Sequence, residues 1–220
     1  MKKSFRKMLP AAIAAGMALT AIAPNVVMAA EEEAGFVFEA EYTDLSYIFG
    51  HGYSNEVEGT GCIVEDIYDA EASNGYFVGY LYEEGNELEF HINSDKDVED
   101  ATLILRATME FQDASITWKD FSISVNDEDP IQYRDMKFKK VKDVFSLNGE
   151  LRPFSDFTIG NISLKEGENV IKLTVNNSTT MTGTMRATAP IVDCIKIQTD
   201  SDAQITWNED AGYPMEDNIG

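Results

Sequence analysis

Apolar and polar residues alternate along many short segments of the chain. From Glu87 to Ile92 the alternation is strict, because the even positions are apolar and the odd positions are glutamate or histidine. The segments 121–125 and 169–176 show the same period of two, which predicts half-buried strands. Turn residues separate such segments at intervals of roughly 8 to 12 residues. The pattern predicts an all-β fold built as an antiparallel β-sandwich.

The segment from Phe36 to Tyr42 is predicted as the opening strand. Its even positions are apolar or aromatic, whereas Glu39 and Glu41 fall together on the opposite face. Two carboxylates two residues apart on a strand lie roughly 6.5 to 7 Å from each other. Like charges at that spacing repel unless water or a cation lies between them. The pair therefore requires a binding partner or open solvent.

The last predicted strand of the sandwich, Ile191 to Ile197, contains a carboxylate. By alternation Asp193 shares the apolar face of this strand with its isoleucines. A carboxylate directed at a core must be paired or bind a metal, because an isolated buried charge is too costly. If the first and last strands are neighbours, Glu39, Glu41 and Asp193 converge on an oxygen-rich site of the kind that calcium selects. The alternative is three separate, solvated carboxylates.

The first 29 residues have the pattern of a secretory signal peptide. Four basic residues precede an apolar run from Ala11 to Ala23, and small residues lead up to Ala29. Cleavage after Ala29 is expected, which leaves residues 30–35 as an acidic N-terminal segment. A retained anchor is the alternative, although the run is short for a membrane span. The expected location is secreted, extracellular or at the cell surface, without membrane insertion after cleavage.

The chain is strongly acidic. Its 39 acidic and 17 basic residues give a formal net charge of −22. The segment 1–29 holds four of the basic residues and no acidic ones, so the net charge becomes −26 without it. Such a field disfavours binding to nucleic acid and to anionic membrane surfaces, and it favours cations.

Two cysteines, Cys62 and Cys194, fall in an early and a late predicted strand. Oxidising surroundings outside the cell permit a disulfide that links the two ends of the fold. Two buried thiols that behave as small hydrophobic groups are the equal alternative. No C-x-x-C motif occurs, which argues against a cysteine-rich zinc site.

Five segments follow one another along the chain in this order: Phe38–Tyr42, Ala72–Tyr80, Phe121–Asn126, Leu164–Leu173 and Pro190–Ile195. In this order they resemble the sequence landmarks of secreted carbohydrate-binding modules of families 6 and 35. The resemblance spans 36–197 and implies a module over 36–198, followed by a C-terminal extension or linker over 199–220. It implies a jelly-roll β-sandwich of the galactose-binding-like type.

The resemblance also implies a structural calcium ion. It assigns the metal ligands to Glu39, Glu41 and Asp193, with Ser73 and the backbone carbonyls up to Gly75 completing the shell. The role implied for this ion is to hold the two chain ends together, since a closed shell of oxygen atoms does not favour catalysis.

The sugar site is expected in loops at one end of the sandwich. Aromatic rings there stack on the apolar faces of sugars, and polar groups bind the hydroxyls. The candidates are Phe49, His51, Tyr53, Asn55, Asn177, Thr182 and Arg186. Ile191 departs from the family pattern, in which many members carry asparagine. The first candidate loop spans 43–61 and the second spans 176–190. Neither contains a tryptophan, and Trp118 is expected to pack on a sheet.

Catalytic motifs are absent from the sequence. His51 and His91 have no nucleophile at a recognisable spacing, and His91 is expected at the surface because it alternates with glutamates. The predicted function is non-catalytic binding of polysaccharide or cell-wall glycan, with an attached glycan-active enzyme outside these residues as a compatible arrangement. The alternative is a structural or adhesive cell-surface domain without a sugar site.

Overall fold

The structure is a computed structural model that describes residues 35–50, 58–67, 70–109, 113–139, 153–180 and 186–219. The predicted signal peptide lies outside the described residues. So do the predicted site residues His51, Tyr53, Asn55 and Thr182.

The described residues form twelve strands and five short 3₁₀ turns. The strands are β1 (Phe36–Glu39), β2 (Ile63–Glu65), β3 (Tyr76–Val78), β4 (Glu87–Ser94), β5 (Val98–Thr108), β6 (Ala114–Ile116), β7 (Phe121–Val125), β8 (Met136–Phe138), β9 (Ser155–Leu164), β10 (Gly167–Val175), β11 (Ile191–Gln198) and β12 (Ile205–Trp207). The 3₁₀ turns are Ala40–Tyr42, Leu45–Tyr47, Gly59–Cys62, Glu209–Ala211 and Glu216–Ile219. Within the described residues, no helix is long and apolar enough to cross a membrane.

The strands form two main antiparallel sheets and a small hairpin. The large sheet has the order β2-β3-β11-β5-β9, and β1 pairs with β11. The small sheet has the order β12-β4-β10-β7, and β6 pairs with β8. The chain crosses between the two main sheets from β3 to β4, from β4 to β5, from β9 to β10, from β10 to β11 and from β11 to β12. This connection pattern confirms the predicted antiparallel jelly-roll sandwich.

The core lies between the two sheets. The small sheet contributes Leu88, Phe90 and Ile171, and the large sheet contributes Leu103 and Ile195, all at most 1% exposed. The period-two patterns of β4 and β10 predict the inward positions of Leu88, Phe90 and Ile171 correctly, because successive side chains of a strand point to opposite faces.

The segment after residue 198 is part of the sandwich, which differs from the extension or linker that the sequence indicates. β12 pairs with β4. Trp207 packs edge-on against Phe38 at 5.1 Å between ring centroids and stacks on Tyr213 at 6.1 Å. Tyr213 in turn stacks on the His91 ring at 4.6 Å. A three-residue strand is too short for periodicity to reveal, so the sequence pattern alone misses it.

His91 is half-buried rather than a simple surface residue. Its two ring nitrogens lie 3.2 Å from Glu89 and 3.2 Å from Glu168, and Tyr213 covers one face of the ring. The alternation correctly places His91 on the outer side of β4. The C-terminal segment then covers it, which only the tertiary fold determines.

Cys62 and Cys194 are both buried and form no disulfide bond. Cys62 packs in the core between the sheets, whereas Cys194 lies in β11 beside the Asp193 carboxylate. Burial raises the pKa of Cys62 to about 12 and raises the pKa of Cys194 as well. Of the two alternatives, the structure therefore has two buried, protonated thiols.

We expect Trp207→Ala to lower the free energy of unfolding by about 3 kcal/mol, because it removes a large ring from an aromatic cluster. Urea denaturation followed by circular dichroism measures the change. Trp207→Phe keeps a ring at the site and serves as the control with a smaller loss. Equal stability of Trp207→Ala and the unmodified chain would contradict the packing of this segment on the sandwich.

Candidate functional site

The first strand lies beside the last long strand of the large sheet. β1 pairs antiparallel with β11, and Glu39 lies opposite Cys194 in this register. Phe38 faces the core at 2% exposed. Glu39, the next residue along the strand, therefore lies on the outer face. The neighbouring positions of the first and last strands, on which the proposed carboxylate convergence depends, are confirmed.

A β-bulge in β11 determines the direction of Asp193. β11 pairs with β5 through Val192 opposite Ala107 and Cys194 opposite Arg106, so Asp193 is the extra residue between the two pairs. Val192 packs in the core, whereas Asp193 contacts Arg106. The expectation that Asp193 shares the face of the core-facing isoleucines that follow it is wrong. The bulge inserts one residue and shifts the alternation beyond it.

The backbone turns before Glu41. β1 ends at Glu39 and the segment 40–42 forms a 3₁₀ turn, so the prediction of one strand through to Tyr42 is wrong. The side chain of Asn218 donates hydrogen bonds to the carbonyls of Glu41 and Thr43 at 2.8 and 2.9 Å. These long-range bonds hold the turn, and Glu41 is 0% exposed within it.

The turn between β2 and β3 supplies hydrogen-bond donors to these carboxylates. The backbone N–H of Ser73 donates to both oxygens of Asp193, at 3.0 and 3.2 Å. The Ser73 hydroxyl donates to Glu39 Oε2 at 2.6 Å. Asn74 Nδ2 donates to Glu41 Oε1 at 3.0 Å. The structure therefore brings together all four residues predicted as metal ligands, and Glu39, Glu41 and Asp193 are called the carboxylate cluster below.

Arg106 is a functional residue that sequence reasoning misses. Its Nε lies 2.8 Å from Asp193 Oδ2, and its NH1 lies 3.2 Å from Asp156. Its NH2 donates to the backbone carbonyl of Glu71 at 2.6 Å. The sequence shows only a single arginine on the outward face of a predicted strand. An arginine in contact with solvent would give the same pattern, so the pattern does not reveal that Arg106 pairs with Asp193.

Burial makes ionisation of the carboxylate cluster costly. Desolvation raises the pKa of Glu41 to about 7, and the nearby charges of Glu39 and Asp193 act in the same direction. Desolvation also raises the pKa of Glu39 and of Asp193, although Ser73 and Arg106 oppose the rise at Asp193. Glu41 Oε2 is buried and has no hydrogen-bond partner among the described residues. A buried carboxylate oxygen without a partner is a rare and costly feature.

The donor set of the carboxylate cluster fits a hard cation. All the side-chain donors are oxygen atoms, as calcium prefers, and Glu41 Oε2 is an unpartnered acceptor. In the described part of the chain, however, no group of three or more histidine, cysteine or acidic side chains is already arranged to enclose a metal ion. The hydrogen bonds from Ser73 and Asn74 take up several of the same oxygens.

A second candidate site lies where loops meet at one end of the sandwich. We call it the loop end and define it as the segments 45–50, 79–86, 117–120, 176–180 and 186–190. The backbone N–H of Phe49 donates to the Asn86 side chain at 3.1 Å. Thr179 donates to the Tyr82 carbonyl at 2.6 Å, and Asn176 donates to the Asp120 carbonyl at 2.8 Å. The first and second predicted sugar-binding loops therefore contact a common set of segments.

Asp120 organises the polar part of the loop end. Arg186 NH2 lies 2.6 Å from Asp120 Oδ1, and Asn177 Nδ2 donates to the same oxygen at 3.2 Å. Thr117 donates to Asp120 Oδ2 at 2.8 Å. Asp120 is 6% exposed, whereas 66% of the Arg186 side chain is exposed. The predicted residues Asn177 and Arg186 thus lie together on a buried carboxylate that sequence reasoning does not single out.

Trp118 and Phe49 are two aromatic residues of the loop end, and both are half-buried. Trp118 is half-buried and packs against the core, in agreement with its predicted packing role. Lys119 Nζ lies 5.4 Å from the centroid of the Trp118 ring. Phe49 is half-buried near Gly85. Ile191, in contrast, packs with Phe77 in a small apolar cluster at the large sheet.

No family model matches the chain, and no curated protein matches it. Solved carbohydrate-binding modules of family 35 are similar to this chain. One from Clostridium thermocellum is 20% identical with a TM-score of 0.46, and the match covers 74% of this chain and 98% of that one. One from Cellvibrio japonicus is 11% identical with a TM-score of 0.49, and the match covers 79% and 97% of the two chains.

A β-1,4-mannanase of Podospora anserina with a family 35 module is also similar. It is 16% identical with a TM-score of 0.49, and the match covers 77% of this chain and 28% of that chain.

We expect the stability of the calcium-free chain to fall as the pH rises from 5 to 8. The folded-state pKa of Glu41 is about 7, above the ordinary value of 4.5. The folded state therefore holds a proton that the unfolded state releases earlier, and its stabilising effect is lost as the pH passes 7. The linked change in the free energy of unfolding is about 3 kcal/mol.

Urea denaturation in chelator at the two pH values measures this change. Glu41→Gln keeps an amide oxygen for Asn74 and removes the titration, so its stability should vary less with pH. The exposed Glu65 gives the control Glu65→Gln, which should retain the full pH dependence. An identical pH dependence in Glu41→Gln and the unmodified chain would refute the assignment.

Proposed function

We propose that this chain is a secreted, non-catalytic carbohydrate-binding module stabilised by calcium. The observation that carries the proposal is the loop end, where Arg186 and Asn177 are fixed on the buried Asp120 and the half-buried Phe49 and Trp118 belong to segments of the same loop end. Sugar sites combine an aromatic surface with a few positioned polar groups. The likeness to family 35 modules agrees with this function.

Sugar binding at the loop end follows from the chemistry of its groups. The apolar C–H face of a pyranose packs on an aromatic ring, while its hydroxyls need hydrogen-bond partners. Asp120 holds Arg186 in place, so its exposed guanidinium loses little conformational freedom when it donates to a ligand. With few such contacts, the expected dissociation constants lie roughly in the micromolar to millimolar range.

Calcium at the carboxylate cluster is supported by a balance of charge. Glu39, Glu41 and Asp193 carry three negative charges when ionised, and Arg106 is the cation in direct contact with one of them. A divalent ion would neutralise the two remaining negative charges, and it would bind the unpartnered oxygen Glu41 Oε2. The three carboxylates, with Ser73 nearby, would hold it, and its contribution would be to link β1, β11 and the turn at Ser73.

Secretion is supported by the sequence alone, through the basic and apolar pattern of the first 29 residues. The mannanase that contains a family 35 module agrees with attachment of such modules to glycan-active enzymes. An attached enzyme would gain a higher local concentration at its substrate through the module.

A structural or adhesive domain without a sugar site is the second candidate function. The observation that favours it is Ile191, which packs against the apolar cluster with Phe77 and leaves no polar group at that position. Under this alternative the loop end would bind no glycan at all.

We expect Arg186→Met to weaken glycan binding roughly tenfold or more, because a hydrogen bond to a charged group is lost. Affinity electrophoresis in a panel of polysaccharides measures retention of the unmodified chain and the variant. Asn161→Ala is the control, since it removes an exposed side chain on β9 that bonds Asp100 instead. No retention of the unmodified chain on any polysaccharide would favour the structural alternative.

We expect chelator to lower the melting temperature of the chain. At calcium concentrations a hundredfold above the dissociation constant, binding stabilises the folded state by about 2.7 kcal/mol. For a domain of this size that corresponds to roughly 5 to 10 °C. Differential scanning calorimetry with chelator and with excess calcium measures the difference.

Glu41→Gln should lose most of this calcium response, whereas Glu65→Gln should retain it. Identical melting curves of the unmodified chain in chelator and in calcium would rule out the ion. Magnesium serves as a further control, because it prefers a smaller and stricter octahedral shell.

A further inference from the structure

Five of the ten lysine and arginine side chains in the described part of the chain contact a carboxylate. These pairs are Lys96–Asp202, Arg106–Asp193, Lys172–Glu89, Arg186–Asp120 and Lys196–Asp156. The other five have no ion pair among the described residues, and three of these, Arg134, Lys137 and Lys139, are exposed and lie close together in the sequence. They place three unpaired positive charges within six positions of the chain.

Two of these cations line a pocket of about 340 Å³ between β8 and the beginning of β9. Its lining consists of Arg134, Asp135, Lys137, Asp156, Phe157 and Thr158. Its volume is within the range of small-ligand sites. Because Met136 and Phe138 are buried on either side of Lys137, the strand directs the lysine outward. We call this site the basic pocket.

The two carboxylates of the basic pocket do not cancel its positive charge. Asp156 is already neutralised by Lys196 at 2.7 Å and by Arg106 at 3.2 Å. Asp135 accepts a hydrogen bond from the Ser115 hydroxyl at 3.3 Å and opposes one of the two lining cations. The charge that remains is positive, and Lys139 adds to it from two residues beyond Lys137.

The pocket also offers an apolar surface and a hydroxyl. The Phe157 ring is half-buried and packs on Phe138 at 5.0 Å between centroids. Thr158 follows it on β9 and is exposed. Arginine binds the oxygens of carboxylate and sulfate groups through paired N–H donors, whereas an aromatic ring accepts the C–H face of a sugar.

We propose that the basic pocket binds an acidic polysaccharide, one that carries carboxylate or sulfate groups on its sugar units. The proposal rests on the proposed carbohydrate-binding function for the class of ligand. It adds a second binding site, which shares no residue with Asp120, Asn177 or Arg186 at the loop end. The chain's net negative charge repels polyanions at long range, so this attraction acts only within about a Debye length, 8 Å at physiological salt.

Affinity electrophoresis on the full chain tests the proposal with two probes, polygalacturonate for carboxylate groups and dextran sulfate for sulfate groups. At least one probe should retard the unmodified chain. With two to three contacts, raising salt from about 50 to 200 mM should weaken binding roughly tenfold. Retardation by one probe alone identifies which oxyanion the pocket prefers.

Arg134→Gln and Lys137→Gln should each weaken retardation roughly fivefold to tenfold and reduce its salt dependence. Lys165→Gln is the matched control and should have no effect. It removes one exposed charge without a side-chain partner among the described residues, beyond the far end of β9. All three residues are exposed, and circular dichroism confirms that each variant is folded.

Three results would overturn the proposal. They are no retardation by either probe, equal weakening by Lys165→Gln, or equally strong binding of a single-stranded DNA oligonucleotide. Arg186→Met separates this site from the loop end. If it abolishes binding of neutral glycans and leaves retardation by polyanions intact, the two sites are independent. If neutral glycans bind and polyanions do not, the proposed function stands without the basic pocket.

Discussion

The burial of carboxylates between the first strand and the last long strand is the constraint on which much of this fold depends. Glu41 is fully buried and Glu39 half-buried beside Asp193, so their charges must be compensated locally. The compensation comes from distant parts of the chain, through the turn at Ser73 and through Arg106 on β5. The local structure around β1 and β11 therefore depends on compensation of the charges of Glu39, Glu41 and Asp193.

Arg106 links this cluster to the rest of the large sheet. It contacts Asp193 on β11, Asp156 on β9 and the carbonyl of Glu71. Asp156 also pairs with Lys196, so its charge does not oppose anions in the neighbouring pocket at Arg134. One ion-pair network thus serves both the carboxylate cluster and the positive charge left beside β8. A binding role for the surface beside β8 therefore depends on Arg106 of β5, which contacts Asp156 on β9 and also Asp193 on β11.

The two proposed sites are divided between the paired strands and the loops. The paired strands fix the carboxylate cluster, which suits an architectural ion better than chemistry. The loop end instead presents an exposed guanidinium, Arg186, whose position is set by the buried Asp120. A buried acceptor that orients an exposed donor is a means of pre-organising a ligand site on loops. Carbohydrate binding without catalysis is consistent with this division.

The sequence by itself determined the all-β class and most strand positions, because alternation is a local property that a strand preserves. The meeting of Glu39, Glu41, Ser73 and Asp193 was implied by the resemblance to family 35 and not by alternation. The tertiary structure decided what alternation cannot express. The bulge reversed the face of Asp193, since one added residue shifts the register. Asn218, far along the chain, bonds the carbonyl of Glu41 in the 3₁₀ turn that interrupts the predicted strand. Asp120 and Arg106 acquired roles only through partners far away in the chain, which no local pattern contains.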